Sequence, residues 1–429
     1  MGFVNTFAPK SARFFGESLR CREGNLARRG PQFHLSNPAE RCIILRGCKT
    51  SGMRKMTVVS IVACETYDPE AVRGALEAAL APLGGMGRFV RPGMRVLLKP
   101  NLIAPLPLDR AVTTHPTVVR AVAEMVQEAG GEVWIGDSPA GPVDHPDSLW
   151  RRTGMAEVAA ATGARLVPFD GAEWRRLRGQ DYFIARPVLA ADLIITLPKL
   201  KTHTLTLYTG AVKNLFGTIP GTRKREVHFR APAVPDFSRA LADVLELVRP
   251  GLAIMDGVVG QEGNGPGAGG TPRRYGCLAA SADPVALDTV LSQAMGCRPG
   301  EVFHLREAAA RGLGVNDLEM IEVVGDRRAL DFGPVRRPLA QRVLRVPLPG
   351  WVAAPLRRVT RVRPRLTAPV DCVGCGQCAE ACPREAITPG RPPHFRLDQC
   401  VGCMCCAEVC PQGIIAPYRS ALARLLGLR

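Results

Sequence analysis

The chain has 429 residues, 46% of them apolar, which excludes a disordered or fibrous protein and allows two or three domains with full cores. Its net charge of +17 is concentrated: residues 1–55 carry +8 and residues 332–370 carry nine Arg and no acid. The remainder is neutral as a whole, which argues against a basic groove for nucleic acid across a folded domain.

No apolar run approaches the roughly 18 residues of a membrane span, so no transmembrane segment is expected. The N-terminus lacks the apolar centre of a secretory signal, and a cytoplasmic location follows. Residues 1–55 read as a basic extension, disordered or outside the true start, because Met53 and Met56 both stand just ahead of the first strand-like run.

From Thr57 onward short β-branched runs alternate with helical ones. Val58–Cys64 reads as a strand, Pro69–Leu83 as a helix, Arg95–Leu98 as a strand, and Pro116–Ala129 as a helix capped by Thr114. Strand Val133–Ile135, helix Leu149–Ala161 and strands Leu166–Phe169 and Leu193–Leu197 follow. Further on come helices around Ala211–Leu215 and at Ser238–Val248, then strands Leu252–Met255 and Gly276–Ala280. Helices Pro284–Met295 and Val302–Arg311 and strand Glu319–Val324 complete the series. The expected fold over residues 56–330 is α/β, a mainly parallel sheet with helices on both faces.

Four of these strands end in polar residues: Lys99-Pro100-Asn101, Asp137-Ser138, Lys199 and Asp256. In open α/β sheets ligands bind beyond the carboxyl ends of the strands. Asp and Ser also cap helices and Pro-Asn makes turns, so a purely structural reading stands beside the shared site. The lysines sharpen the choice, for the chain has 48 Arg and only eight Lys, and five of these are Lys99, Lys199, Lys201, Lys213 and Lys224. An ammonium is a compact charge whose pKa burial can shift, which suits tight anion contact or catalysis.

The densest stretch runs from Leu197 through Lys199, Lys201 and His203 to Gly210-Ala211-Val212-Lys213-Asn214-Leu215-Phe216-Gly217. We expect Lys199, Lys201 and His203 in catalysis, with His203 relaying protons. Lys99, Asn101, His115, Asp137, Ser138, Lys213, Asn214, Asp256 and Glu262 are the expected binding residues. The glycine-rich run Met255–Gly267 is no dinucleotide fingerprint, since a strand follows it instead of a helix. It reads as a loop, either closing over a ligand or merely flexible.

Residues 331–370, rich in Pro and Arg, read as a linker or strap. Of fifteen cysteines, nine crowd between Cys372 and Cys410. The first run is Cys372, Cys375, Cys378 and Cys382-Pro383, and the second is Cys400, Cys403, Cys406 and Cys410-Pro411. Cuboidal 4Fe-4S clusters take four thiolates, and the fourth Cys of each such run serves the other cluster. Two clusters are expected in a ferredoxin domain at 371–415: one on Cys372, Cys375, Cys378 and Cys410, the other on Cys382, Cys400, Cys403 and Cys406. Cys405 falls out of register and reads as a free thiol. Residues 416–429 read as a terminal helix.

Several of these stretches resemble the domain of unknown function 362 family, α/β proteins often fused to ferredoxin modules. They are Leu98–Asn101, Thr114-His115-Pro116, Gly136–Pro139, the Lys199-to-Gly217 stretch, Asp256-Gly257 with Glu262-Gly263, and Ala282–Asp288. The resemblance implies a fold and an iron–sulfur association but no reaction. Two functions therefore stand: an oxidoreductase acting on a small anionic substrate at the strand rim, or a non-catalytic electron carrier or assembly partner. Either requires a redox partner protein.

Overall fold

A computed structural model describes residues 56–141, 146–221, 223–336 and 362–418. The basic extension, most of the strap and residues 419–429 lie outside them. In chain order the α/β part begins with β1 (Thr57–Ala63), α1 (Pro69–Leu80), β2 (Arg95–Pro100), α2 (Pro116–Glu128) and β3 (Glu132–Ile135). It continues through α3 (Pro146–Arg152), α4 (Met155–Thr162), β4 (Arg165–Leu166), β5 (Ala172–Leu177), β6 (Gln180–Ala185) and α5 (Arg186–Ala190). Then come β7 (Leu193–Leu197), β8 (Lys199–His203), β9 (Leu207–Thr209), α6 (Ala211–Asn214), α7 (Arg223–Arg230) and α8 (Val234–Val248). Strands β10 (Leu252–Gly263) and β11 (Gly270–Ser281), helices α9 (Pro284–Ala294) and α10 (Phe303–Ala310), and β12 (Ile321–Gly325) close it.

The main sheet runs β12-β1-β11-β10-β7-β2-β3-β4, with β8 and β9 attached beside β10. From β10 to β4 its neighbours are parallel, while β11 is antiparallel to both β1 and β10. Alternation along the strands feeds two cores: Val96 and Leu98 face the one under α1 and α2, whereas Leu97 faces the one under α8 and α9. A mainly parallel mixed sheet with helices on both faces is the α/β architecture expected.

Local chemistry fixes the helix starts. The Asp68 carboxylate accepts from Glu70 N and Ala71 N at the head of α1, and Asp283 does the same for Val285 N and Ala286 N at α9. At α2 the cap is His115, whose Nδ1 accepts from Thr117 N, and not Thr114. The Thr114 hydroxyl instead donates to Leu197 O and accepts from Asn101 N, tying β7 to the end of β2.

Other boundaries moved for identifiable reasons. The expected helix Leu149–Ala161 breaks at Gly154, which takes φ 74° and begins α4. The expected strand Leu166–Phe169 shrinks to Arg165–Leu166. The hairpin of β5 and β6 turns on Arg178 and Gly179, both at positive φ, and was hidden by its charged, half-exposed residues. The glycine-rich run is no loop up to Gly263: it is the second half of β10, paired with β11. Glycine is a poor strand former, yet a Cβ at Gly260 would collide with Leu200 O, so the close approach of β8 demands it.

The C-terminal module is small. Strand Arg363–Leu366 pairs antiparallel with Ile415–Tyr418, and Ile387–Thr388 pairs with His394–Phe395. Helices Gln377–Glu380 and Cys405–Val409 lie between. Its first strand thus lies inside the segment read as a strap, and residues 416–418, read as the start of a helix, are strand. The module seats on the α/β rim: His203 Nε2 lies 3.1 Å from Glu408 Oε1, and Arg225 donates to Cys382 O at 3.2 Å.

Candidate functional site

The cysteine sulfurs gather as the spacing requires. One cavity is lined by Cys372, Cys375, Cys378 and Cys410, and another by Cys382, Cys400, Cys403 and Cys406. Each therefore takes three cysteines from one run and the fourth from the other. No disulfide joins the described cysteines, left-handed Gly374, Gly376, Gly402 and Met404 bend the two loops, and Ala386 N donates to Cys382 Sγ at 3.2 Å. Four thiols around a small, mostly apolar cavity fit a 4Fe-4S cluster at both places.

Cys405 belongs to neither set. It lines a third cavity, of about 60 Å³, between the module and the α/β rim. Ala381, Cys405 and Val409 form the module's wall; Asn101, Asp137, Ser138, Lys213 and Asn214 stand on the α/β side. Two neighbours place it against the second cysteine cavity: Ala381 precedes Cys382, and Cys405 precedes Cys406. Thr209, Lys224, Arg225, His228 and Glu408 also line it, and none of these was among the expected site residues. Lys224 carried a signal in the scarcity of lysine; the others carried none.

Beneath this cavity runs a buried polar network. The Lys99 ammonium donates to Asp137 Oδ1 at 2.5 Å, and Leu102 N donates to Asp137 Oδ2 at 2.8 Å. Asn214 Oδ1 accepts from Lys99 and from Asn101 Nδ2, while Asn214 Nδ2 donates to Lys99 O and Thr196 Oγ1. Lys201 donates to Asn101 Oδ1 and to Val112 O. Burial pulls the Lys99 and Lys201 ammonium groups below their ordinary pKa, opposed at Lys99 by the Asp137 carboxylate. Two glycines of the Gly210-to-Gly217 stretch make room for these contacts. A Cβ on Gly217 would strike the Lys99–Asp137 pair, and one on Gly210 would strike Asp288, which accepts from Ala211 N and Val212 N.

Lys213 is half-buried and differs from the buried lysines around it. Among the described residues its ammonium has no hydrogen-bond or ion-pair partner; it lies 5.7 Å from the Phe216 ring centre and 5.8 Å from that of Phe237. Burial lowers its pKa, and the Glu408 carboxylate opposes the shift. Lys224 donates to Ser138 Oγ, Ser138 O and Pro139 O, and burial brings its pKa down to about 7. Thr209 Oγ1 and His228 Nδ1 are buried without a partner among the described residues.

The remaining expected residues lie elsewhere. Lys199 donates to Asp256 Oδ2 at 2.8 Å and to the Tyr67 hydroxyl at 2.6 Å, and Tyr67 donates to Asp256 Oδ1 at 2.9 Å. His115 N donates to Asp256 Oδ2, and the His115 ring stacks on Tyr67 at 3.6 Å. His203 Nδ1 accepts from Leu205 N and Thr206 N, which fixes the neutral tautomer with its proton on Nε2, facing Glu408; burial holds its pKa at about 4. Such a ring is a fixed donor, in contrast to the proton relay expected of it. Glu262 sits apart, paired with Arg273 and Arg336. The twelve residues expected in one site therefore divide among the cavity with its floor, the Tyr67 network, the Glu408 contact and a peripheral ion pair.

Residues 96–293 match the family described as domain of unknown function 362, and residues 371–414 match a 4Fe-4S dicluster domain. A thylakoid-associated protein of Synechocystis sp. is 39% identical over 263 residues, which are 60% of this chain and 80% of that protein. Among solved structures, the lactate racemase apoprotein of Thermoanaerobacterium thermosaccharolyticum aligns with a TM-score of 0.34 at 13% identity, over 55% of this chain and 58% of that one. A Thermotoga maritima protein solved by structural genomics aligns with a TM-score of 0.34 at 11% identity, over 58% and 60%. The chain spans less than two thirds of either solved structure.

Proposed function

Because the chain belongs to the domain of unknown function 362 family, whose name carries no reaction, we propose its function from its own geometry: an iron–sulfur oxidoreductase whose inter-module cavity holds a small anion. Two 4Fe-4S clusters, when bound, supply single electrons. What carries the reading is the pairing of Ala381 with Cys382 and of Cys405 with Cys406, which sets the ligand cavity and the second cysteine cavity back to back. Lys213 offers the anion an ammonium with no hydrogen-bond or ion-pair partner among the described residues, and Asn101 and Asn214 stand in the floor beneath it. The dense thiols suit a reducing compartment such as the cytoplasm. A redox partner protein would dock by the first cysteine cavity, where Cys375 is exposed and Val370 and Val373 stand 87% and 52% exposed.

The test uses anaerobic, dithionite-reduced full-length protein mixed with nitrite, sulfite or pyruvate while cluster absorbance is followed. At least one anion should reoxidise the wild type far faster than a cluster-loaded Lys213→Ala variant. Equal rates for every anion in both proteins would remove the substrate site and leave the carrier reading, in which electrons pass only to a protein.

A further inference from the structure

The lining of the inter-module cavity narrows the ligand to a chemical class, an inference that rests on reading this cavity as the ligand site. Charge comes first. The Asp137 carboxylate is already held by Lys99 and Leu102 N, and Glu408 faces His203. Lys224 is already bonded to Ser138 and Pro139. Lys213 is left as the ammonium with no hydrogen-bond or ion-pair partner among the described residues, although the Glu408 carboxylate acts on it. Arg225, bonded to Cys382 O, adds a second cation to the lining, and the Thr209 hydroxyl and His228 Nδ1 are buried there without a partner among the described residues. Leaving the buried hydroxyl and ring nitrogen unpaired is unfavourable, so a ligand that pairs with them and with the half-buried ammonium binds favourably.

Size and polarity come next. About 60 Å³ is room for about four to six non-hydrogen atoms, at roughly 10–15 Å³ for each water-sized site. Among the polar side chains of the wall stand four apolar ones, Ile103, Ala140, Phe216 and Val409. A fully polar oxoanion would leave oxygens against these side chains unsatisfied, and a tricarboxylate does not fit. We propose that the cavity binds a short aliphatic monocarboxylate, its carboxylate on Lys213, Thr209 and His228 and its carbon chain against Ile103, Phe216 and Val409. The His228 imidazole, held by burial at about pKa 4, is neutral at physiological pH and offers Nδ1–H as a donor.

Calorimetry on the anaerobic, oxidised, cluster-loaded full chain tests this with four probes: propionate, 1-propanol, sulfate and citrate. Propionate should bind, 1-propanol and citrate should give no binding, and sulfate should bind at least about tenfold more weakly than propionate. Lys213→Met should weaken propionate about tenfold or more with cluster absorbance unchanged. Should that variant lose its clusters, Thr209→Val, which keeps the side-chain shape, is read in its place and should weaken propionate by several-fold. Sulfate or 1-propanol binding as tightly as propionate, or variants that keep wild-type affinity, would overturn the proposal. The oxidised protein needs no electron transfer to bind. Propionate binding alongside equal reoxidation rates would therefore keep this inference while removing the oxidoreductase.

Discussion

Two lysine sites, Lys199 on β8 and Lys213 on α6, have opposite characters. At Lys199 the polar valences are closed: the Asp256 carboxylate accepts from Lys199, Tyr67 and His115 N, and Tyr67 accepts from Lys199 and Val259 N. At Lys213 they are open, with the ammonium, a hydroxyl and a ring nitrogen lacking hydrogen-bond partners among the described residues beside a cavity. A saturated network has nothing left to offer a ligand and serves to clamp β8, β10 and the start of α2 together. An unsaturated one is costly to the fold, and such a cost marks a binding site more reliably than the presence of charge.

The contrast can be broken most sharply at Asp256. Asp256→Ala strands the Lys199 ammonium in a buried position and should cost ~3–5 kcal/mol of unfolding free energy, read by denaturant titration. A loss below about 1 kcal/mol would show that the Lys199 network is not the clamp described. Acid should strike the region around Lys213 next. His203 and His228 are held at about 4, and His304 at about 3, below the ordinary 6.5 because burial disfavours the charged ring. The unfolded chain therefore takes up protons first as pH falls, so stability present above about 6.5 drains away toward pH 4, at roughly 1.4 kcal/mol per pKa unit for each ring. His304→Leu should retain more of its pH 7 stability at pH 5 than the wild type does; equal slopes would place His304 in contact with water.

Lys213→Met should alter stability by less than about 1 kcal/mol or raise it, since it removes a half-buried ammonium with no hydrogen-bond or ion-pair partner among the described residues. A loss comparable to that of Asp256→Ala would make the two lysines equivalent and erase the comparison. The smallest effect concerns metal: Cys405→Ala should leave iron and acid-labile sulfide unchanged, whereas Cys378→Ala should lower both, as measured on anaerobic protein. Iron loss in the Cys405 variant would return that thiol to the cluster ligands.

Cysteine spacing alone separated the eight cysteines into the two groups of four that line the two cavities, because a loop of two intervening residues constrains its own geometry and the fourth cysteine reaches the other cavity. Strand and helix alternation likewise gave the α/β architecture, since burial imposes its period on local sequence. The scarcity of lysine drew attention to Lys99, Lys201 and Lys213, which the structure places at the cavity or in the network beneath it, but it weighted Lys199 equally. What separates Lys199 from Lys213 is the partner each one finds: Asp256 lies 57 residues away for the first, and Tyr67 132 residues away. Pairing at such separations depends on how the sheet is assembled, and so does the wall that Cys405 and Val409 bring to the cavity. Residue type set which groups could bind an anion; only the tertiary structure decided which of them were left unpaired to do so.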